Sequence, residues 1–158
     1  MRKQKVYVET TLFNYYFDTE RDAHPATIAL FKEIAAGKYE AFTSEYVADE
    51  LNNASEEKRD KMMSLLKEYR ITVLAKSEES EMLADQYVSQ GIIPIKFHTD
   101  GLHIATAAIN DLDMIISLNF KHIVKEKTRM ITAEINTIHG YKAIQINSPM
   151  EIVEDEDI

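Results

Sequence analysis

Five short β-like runs separated by helical stretches constrain this chain more than any other feature. The runs are Val6-Tyr7-Val8, Glu40-Ala41-Phe42-Thr43, Ile71-Thr72-Val73-Leu74, Met114-Ile115-Ile116-Ser117 and Ala143-Ile144-Gln145-Ile146. Strands that alternate with helices build a parallel sheet, because a parallel pair needs a long crossover and a helix supplies one. Several runs are short and apolar, as strands covered on both faces are. The expectation is an α/β fold with a central, mostly parallel five-stranded sheet flanked by helices, its crossovers right-handed.

The intervening stretches read as helices. Pro25 to Ala36 places Ile28, Phe31, Ile34 and Ala35 on one face and stops at Gly37. Ser44 opens a segment with Val47, Leu51 and Ala54 at helical spacing, and Ser55 to Tyr69 turns Met62, Leu65, Leu66 and Tyr69 inward. Ser77 caps a helix reaching Gln90 and closed by Gly91. Thr99 or Asp100 starts another, packed through Leu102, Ile104, Ala105 and Ala108. A last helical stretch runs from about Phe120 to Ile138, before Gly140.

At 158 residues, 45% apolar and 28% charged, the chain has the size and balance of one globular domain. Residues 1–150 form that domain, and residues 151–158, with Glu151, Glu154, Asp155, Glu156 and Asp157, read as a solvated acidic tail. No apolar run approaches the ~20 residues that span a bilayer. The basic opening from Met1 to Lys5 leads straight into the first strand-like run, without the apolar stretch of a signal peptide. No cysteine is present, which excludes disulfides and thiolate chemistry and suits a cytoplasmic location. A net charge of −9 is the wrong sign for general phosphate attraction, so nucleic-acid contact would have to be local.

In an open α/β sheet, ligands collect beyond the carboxyl ends of the strands. Glu9 directly follows the first run, Glu50 lies on the helix after the second, Asp100 opens the helix leading to the fourth, and Asn119 follows the fourth. Parallel strands would bring all four to one edge. Carboxylates held close together repel, and a hard divalent cation relieves the repulsion. Such a cation activates a water and stabilises charge building on a phosphate. The acids therefore form a candidate phosphodiester-cleaving site.

Each candidate also has a plain structural reading. Glu9 suits a helix N-terminus through the helix dipole, and Asp100 suits an N-cap. Asp49 competes with Glu50, since neighbours on a helix point about 100° apart. Asn119 is a weak ligand or a turn residue. Thr10 and Ser117 orient the acids or satisfy local backbone groups. His103, His98 and His122 read as packed or surface histidines. Lys121, His122, Lys125, Lys127 and Arg129 form a basic cluster, either a solvated face or a hold on nucleic-acid phosphates. Tyr7, Phe13, Tyr15, Tyr16 and Phe17 are core candidates, some of them suited to a groove or partner surface. No Ser/His/Asp triad spacing stands out, and four glycines leave no glycine-rich phosphate loop.

At these residues the chain resembles the PIN domain family. Val6-Tyr7-Val8-Glu9-Thr10-Thr11 is similar to its first motif, and Thr43-Ser44-Glu45-Tyr46-Val47-Ala48-Asp49-Glu50-Leu51 to its second, whose functional acid precedes the leucine. Asp100-Gly101-Leu102-His103-Ile104-Ala105-Thr106-Ala107 is similar to the third, the most specific match. Ile115-Ile116-Ser117-Leu118-Asn119-Phe120-Lys121-His122-Ile123 is similar to the fourth, and Ile146-Asn147-Ser148-Pro149-Met150-Glu151-Ile152 to the closing strand and turn. The resemblance covers nearly the whole chain in order. It departs from the family at Glu9 and Asn119, where Asp is commoner, and at Gly101, where alanine is usual.

The resemblance implies a PIN-like fold and a Mg²⁺- or Mn²⁺-dependent endoribonuclease, with Glu9, Glu50 and Asp100 catalytic and metal-binding and Asn119 a weaker ligand. It also implies an RNA substrate, a small antitoxin partner of the kind found in VapC-like toxin–antitoxin pairs, and a homodimer. One rival expectation is a catalytically weak PIN-fold module that binds RNA or a protein. Another is a different Mg²⁺ phosphohydrolase on a similar sheet.

Overall fold

A computed structural model describes residues 2–154. Five strands form one sheet in the order β3-β2-β1-β4-β5, and every pairing is parallel. The strands are β1 (Gln4–Val8), β2 (Tyr39–Ser44), β3 (Thr72–Leu74), β4 (Met114–Ile116) and β5 (Gln145–Asn147). β1 lies at the centre, with Val6, Tyr7 and Val8 fully buried. The chain winds outward from β1 through β2 to β3, then returns to the other side of β1 for β4 and β5. The order therefore reverses between β1 and β4, the place where open α/β sheets bind their ligands.

Helices supply the crossovers: α1 (Thr10–Phe17), α2 (His24–Ala35), α3 (Glu45–Ala54), α4 (Glu56–Glu68), α5 (Glu78–Ser89), α6 (His98–Ile109), α7 (Glu126–Ile138) and the single turn α8 (Pro149–Ile152). Side-chain caps start α3, α4 and α5, where Ser44, Ser55 and Ser77 accept from Tyr46 N, Lys58 N and Ser80 N. Gly37 and Gly91 close α2 and α5 at φ +86° and +79°. Past Gly37, the Lys38 N–H reaches back to the Glu33 carbonyl at 3.1 Å, which satisfies an end carbonyl of the helix.

Several expectations shift. Thr10–Phe17, whose aromatics Phe13, Tyr15, Tyr16 and Phe17 read as core or groove candidates, is the helix α1, capped by the Glu9 side chain. α2 buries Ala26, Leu30, Phe31 and Ile34, whereas Ala35 is exposed. α6 starts at His98, so Asp100 lies inside its first turn and is not its cap. α7 starts at Glu126; residues 120–125 are a turn that buries Ile123 and Val124. Within the expected tail, Glu151 completes a capping box with Ser148 and pairs with Arg129, and Glu154 pairs with Lys38. Asp155, Glu156 and Asp157 lie outside the described residues. Among the described residues no helix is long and apolar enough to cross a membrane.

Candidate active site at the carboxyl edge of the sheet

Glu9 stands one residue past β1. Its N–H donates to the Ile116 carbonyl at 3.1 Å, which extends the β1–β4 ladder and sets its height above the sheet. The side chain turns back as the N-cap of α1. Its Oε1 accepts from Thr11 N at 3.2 Å, Thr11 Oγ1 at 2.6 Å and Ser117 Oγ at 2.6 Å. The helix-N-terminus reading of Glu9 thus holds, with Glu9 as the N-cap itself, and is compatible with a role in the site. Burial pushes its carboxyl above the ordinary carboxylate range, against the His103 charge and the Ser117 and Thr11 hydroxyls.

Glu50 comes from α3 on the neighbouring strand's crossover. Its Oε1 accepts from Thr10 Oγ1 at 2.6 Å and lies 2.5 Å from His103 Nε2. Asp49 points away and pairs with Lys76, so Glu50 alone of this pair faces the site. Burial pushes Glu50 upward, but the His103 hydrogen bond and charge outweigh it, and the net shift is downward. His103 shifts upward: the bond to Glu50 and the charges of Glu50, Glu9 and Asp100 overcome its own burial.

His103 sits at the hub of this edge, fully buried. Its Nδ1 lies 2.7 Å from the Tyr7 hydroxyl, which lies 2.6 Å from Ser44 Oγ. With both ring nitrogens protonated the directions are consistent: His103 donates to Glu50 and to Tyr7, and Tyr7 donates to Ser44. The packed-histidine reading therefore holds for its burial, yet its polar atoms link β1, β2, α3 and α6. Its place three residues after Asp100 was the only sequence signal for that role.

Asp100 is presented by the first turn of α6. Its Oδ2 lies 3.0 Å from His122 Nδ1. Burial raises its carboxyl, opposed by His103, Asn119 and His122. Asn119 caps the turn, its Oδ1 accepting from His122 N at 3.0 Å, while its own N–H donates to Ser117 Oγ at 2.9 Å. The turn role of Asn119 is plain, and its amide also lowers Asp100. His122 is buried against Asp100, and Arg129 is bound to the Ile146 carbonyl and to Glu151, so the basic run does not act as one face.

Thr10, Ser117, Thr11 and His103 therefore each fix one oxygen of a glutamate. Oε2 of Glu9 and Oε2 of Glu50 accept no hydrogen bond from the described residues. Among the described residues no fully buried side-chain oxygen or nitrogen lacks a partner, so each of the two keeps some contact with solvent. No lysine or arginine among the described residues pairs with Glu9, Glu50 or Asp100; Glu50 pairs with His103 and Asp100 with His122. No three acid or histidine side chains among the described residues surround a single metal position. The free donors are nevertheless hard oxygens. Mg²⁺ keeps several of its waters and takes one or two carboxylates, so the donor chemistry fits such an ion.

No family model matches this chain, and no curated protein matches it. Among solved structures it is similar to VapBC2 from Rickettsia felis bound to a DNA fragment from their promoter. The TM-score is 0.58 at 14% identity, over 92% of this chain and 98% of that one. At that identity the likeness shows the fold alone: an α/β fold whose five-stranded parallel sheet is flanked by helices.

Proposed function

We propose that this protein is a divalent-metal-dependent endoribonuclease that cleaves RNA phosphodiester bonds. The observation that carries the reading is the glutamate oxygens at the strand-order reversal that, among the described residues, accept no hydrogen bond and meet no lysine or arginine, with Asp100 on the same edge. Glu9, Glu50 and Asp100 would hold Mg²⁺ or Mn²⁺, with Asn119 contributing through its amide. When bound, the cation supplies an activated water and stabilises charge developing on the phosphate. The chain's own residues do the positioning. Ser117 and Thr11 orient Glu9, Thr10 and His103 orient Glu50, and His122 orients Asp100. The fold shared with a VapBC2 structure supports a small antitoxin as partner.

The test is cleavage of RNA by purified protein in Mg²⁺, in Mn²⁺ and in chelator, alongside Asp100→Asn. Cleavage that requires metal and is lost in the variant supports the reading; cleavage that ignores both ends it.

One observation favours a second reading. His103 and His122 already pair with Glu50 and Asp100, and no three-ligand cluster is assembled among the described residues. That arrangement suits a catalytically weak module that binds RNA or a protein. Metal-independent RNA binding without cleavage would identify it.

A further inference from the structure

A short 3-10 turn, Ile95–Phe97, runs straight into α6 and so ends three residues before Asp100. The Phe97 ring packs on His122 with centroids 4.2 Å apart and planes tilted by 35°. His122 in turn holds Asp100. An only partly buried aromatic ring therefore stands one contact away from a candidate catalytic acid.

Two lysines from different segments converge on the same ring. Lys96 Nζ and Lys121 Nζ each lie 5.8 Å from the Phe97 centroid. That is near the outer limit of a cation–π contact, so neither ammonium is tightly held. Both lysines are exposed, and their segments also expose Ile95 and Phe120, at 79% and 51%. In a chain of net charge −9, two loosely held cations beside an acid site are a local exception.

We propose that Phe97, Lys96 and Lys121 seat an unpaired nucleotide of the substrate strand beside Asp100. An unstacked base offers a π-face to Phe97, while the two ammoniums turn to the flanking phosphates. A duplex hides its base faces in the stack, so the seat selects single strands. The lysines also offset the repulsion between the carboxylates and the incoming phosphates. The inference rests on the phosphodiester reading of the acid site.

The test is fluorescence anisotropy of the full chain with a labelled single-stranded oligoribonucleotide and a matched duplex, in chelator and over a salt series. Phe97→Leu keeps an apolar side chain against His122. It should weaken single-strand binding about tenfold and leave duplex binding unchanged. The double variant Lys96→Gln/Lys121→Gln should lower the salt slope for the single strand by about 1.4, the value for two lost phosphate contacts. Unchanged affinity in Phe97→Leu, equal losses for both RNA forms, or an unchanged salt slope overturns the seat. So does a parent that binds neither form. Should Phe97→Leu fail to fold, the lysine variant decides, since both lysines are exposed. Cleavage plays no part in the measurement. A parent that binds through Phe97 yet cleaves nothing in Mg²⁺ or Mn²⁺ keeps the seat and ends the nuclease reading. A parent that cleaves, with binding indifferent to Phe97→Leu, does the reverse.

Discussion

At the amino end of the sheet, Asp113 has both carboxylate oxygens occupied. Arg2 grips it at 3.0 and 2.9 Å, the Lys5 N–H donates at 2.7 Å, and Lys142 Nζ lies 3.0 Å away. These bonds tie the start of β1 to the start of β4 and to the approach to β5. At the carboxyl end, Glu9 and Glu50 each have one oxygen fixed and one that accepts nothing from the described residues; Thr11 and Ser117 hold Glu9, and Thr10 and His103 hold Glu50. Their electrostatics diverge accordingly. The Arg2 bond carries Asp113 well below the ordinary carboxylate range, whereas burial carries Glu9 and Asp100 above it. A carboxylate that only holds the fold together takes permanent cations on both oxygens. The acids at the carboxyl edge are instead oriented by hydroxyls and histidines, with no lysine or arginine partner among the described residues.

Breaking the carboxyl end should have the largest effect. Asp100→Asn is expected to lower metal-dependent RNA cleavage at least ~100-fold, the scale of losing one metal-held charge in the transition state. The fold should persist, since Asn still offers His122 an acceptor. Wild-type turnover by the purified variant would place the activity elsewhere.

The second contrast concerns metal. A cation that binds only the folded state at a hundredfold excess over its dissociation constant stabilises by about 2.7 kcal/mol, or about 5–10 °C for a chain of this size. Melting curves in Mg²⁺, Mn²⁺ and chelator should show that rise for the parent and for Asp113→Asn, and little of it for Glu9→Gln. A response that survives in Glu9→Gln, or a parent indifferent to both ions, would put the metal outside this edge.

At the amino end, Asp113→Asn should cost about 1–2 kcal/mol at neutral pH, the range for hydrogen bonds to a charged group discounted for the exposed Arg2. The sign follows from the downward shift of Asp113. Its stabilisation is complete above the unfolded carboxyl range, near pH 4, and is lost as pH falls toward the lower folded value. Denaturation curves of parent and variant should therefore differ at pH 7 and draw together on acidification. A gap independent of pH would mean that Asp113 contributes through shape and not charge.

The smallest effect tests α6 itself. Gly101 is helical, and an added Cβ would meet Tyr87 Cδ2 at 3.5 Å and Ala84 Cβ at 3.6 Å, ordinary contact distances. Gly101→Ala should stabilise by up to ~1 kcal/mol, visible as a melting point about 2–4 °C higher. A loss would show that the α5–α6 packing is tighter than those distances imply.

The order and type of most elements were written locally. Apolar periodicity marked all five strands, a serine cap marked the start of α3, and a serine cap with a glycine stop marked α5, because caps and faces depend on residues within a turn of one another. α1 escaped because its signals conflict. Its cap is a glutamate, its aromatics favour strands, and eight residues are too few to be helical without tertiary packing. Glu9 and Asn119 were legible as positions just past strands, and Glu50 and Asp100 as positions on crossover helices. What each side chain does there was not. Glu50 meets His103 across 53 residues, and Ser117 meets Glu9 across 108, as distant in sequence as Lys5 is from Asp113. Only the strand order, with β4 returning beside β1, makes those pairs neighbours. The sequence by itself determined which acid follows a strand and which ride on the crossover helices. The tertiary structure decided which of their oxygens are already bound and which face solvent, because that depends on donors carried in by separate crossovers.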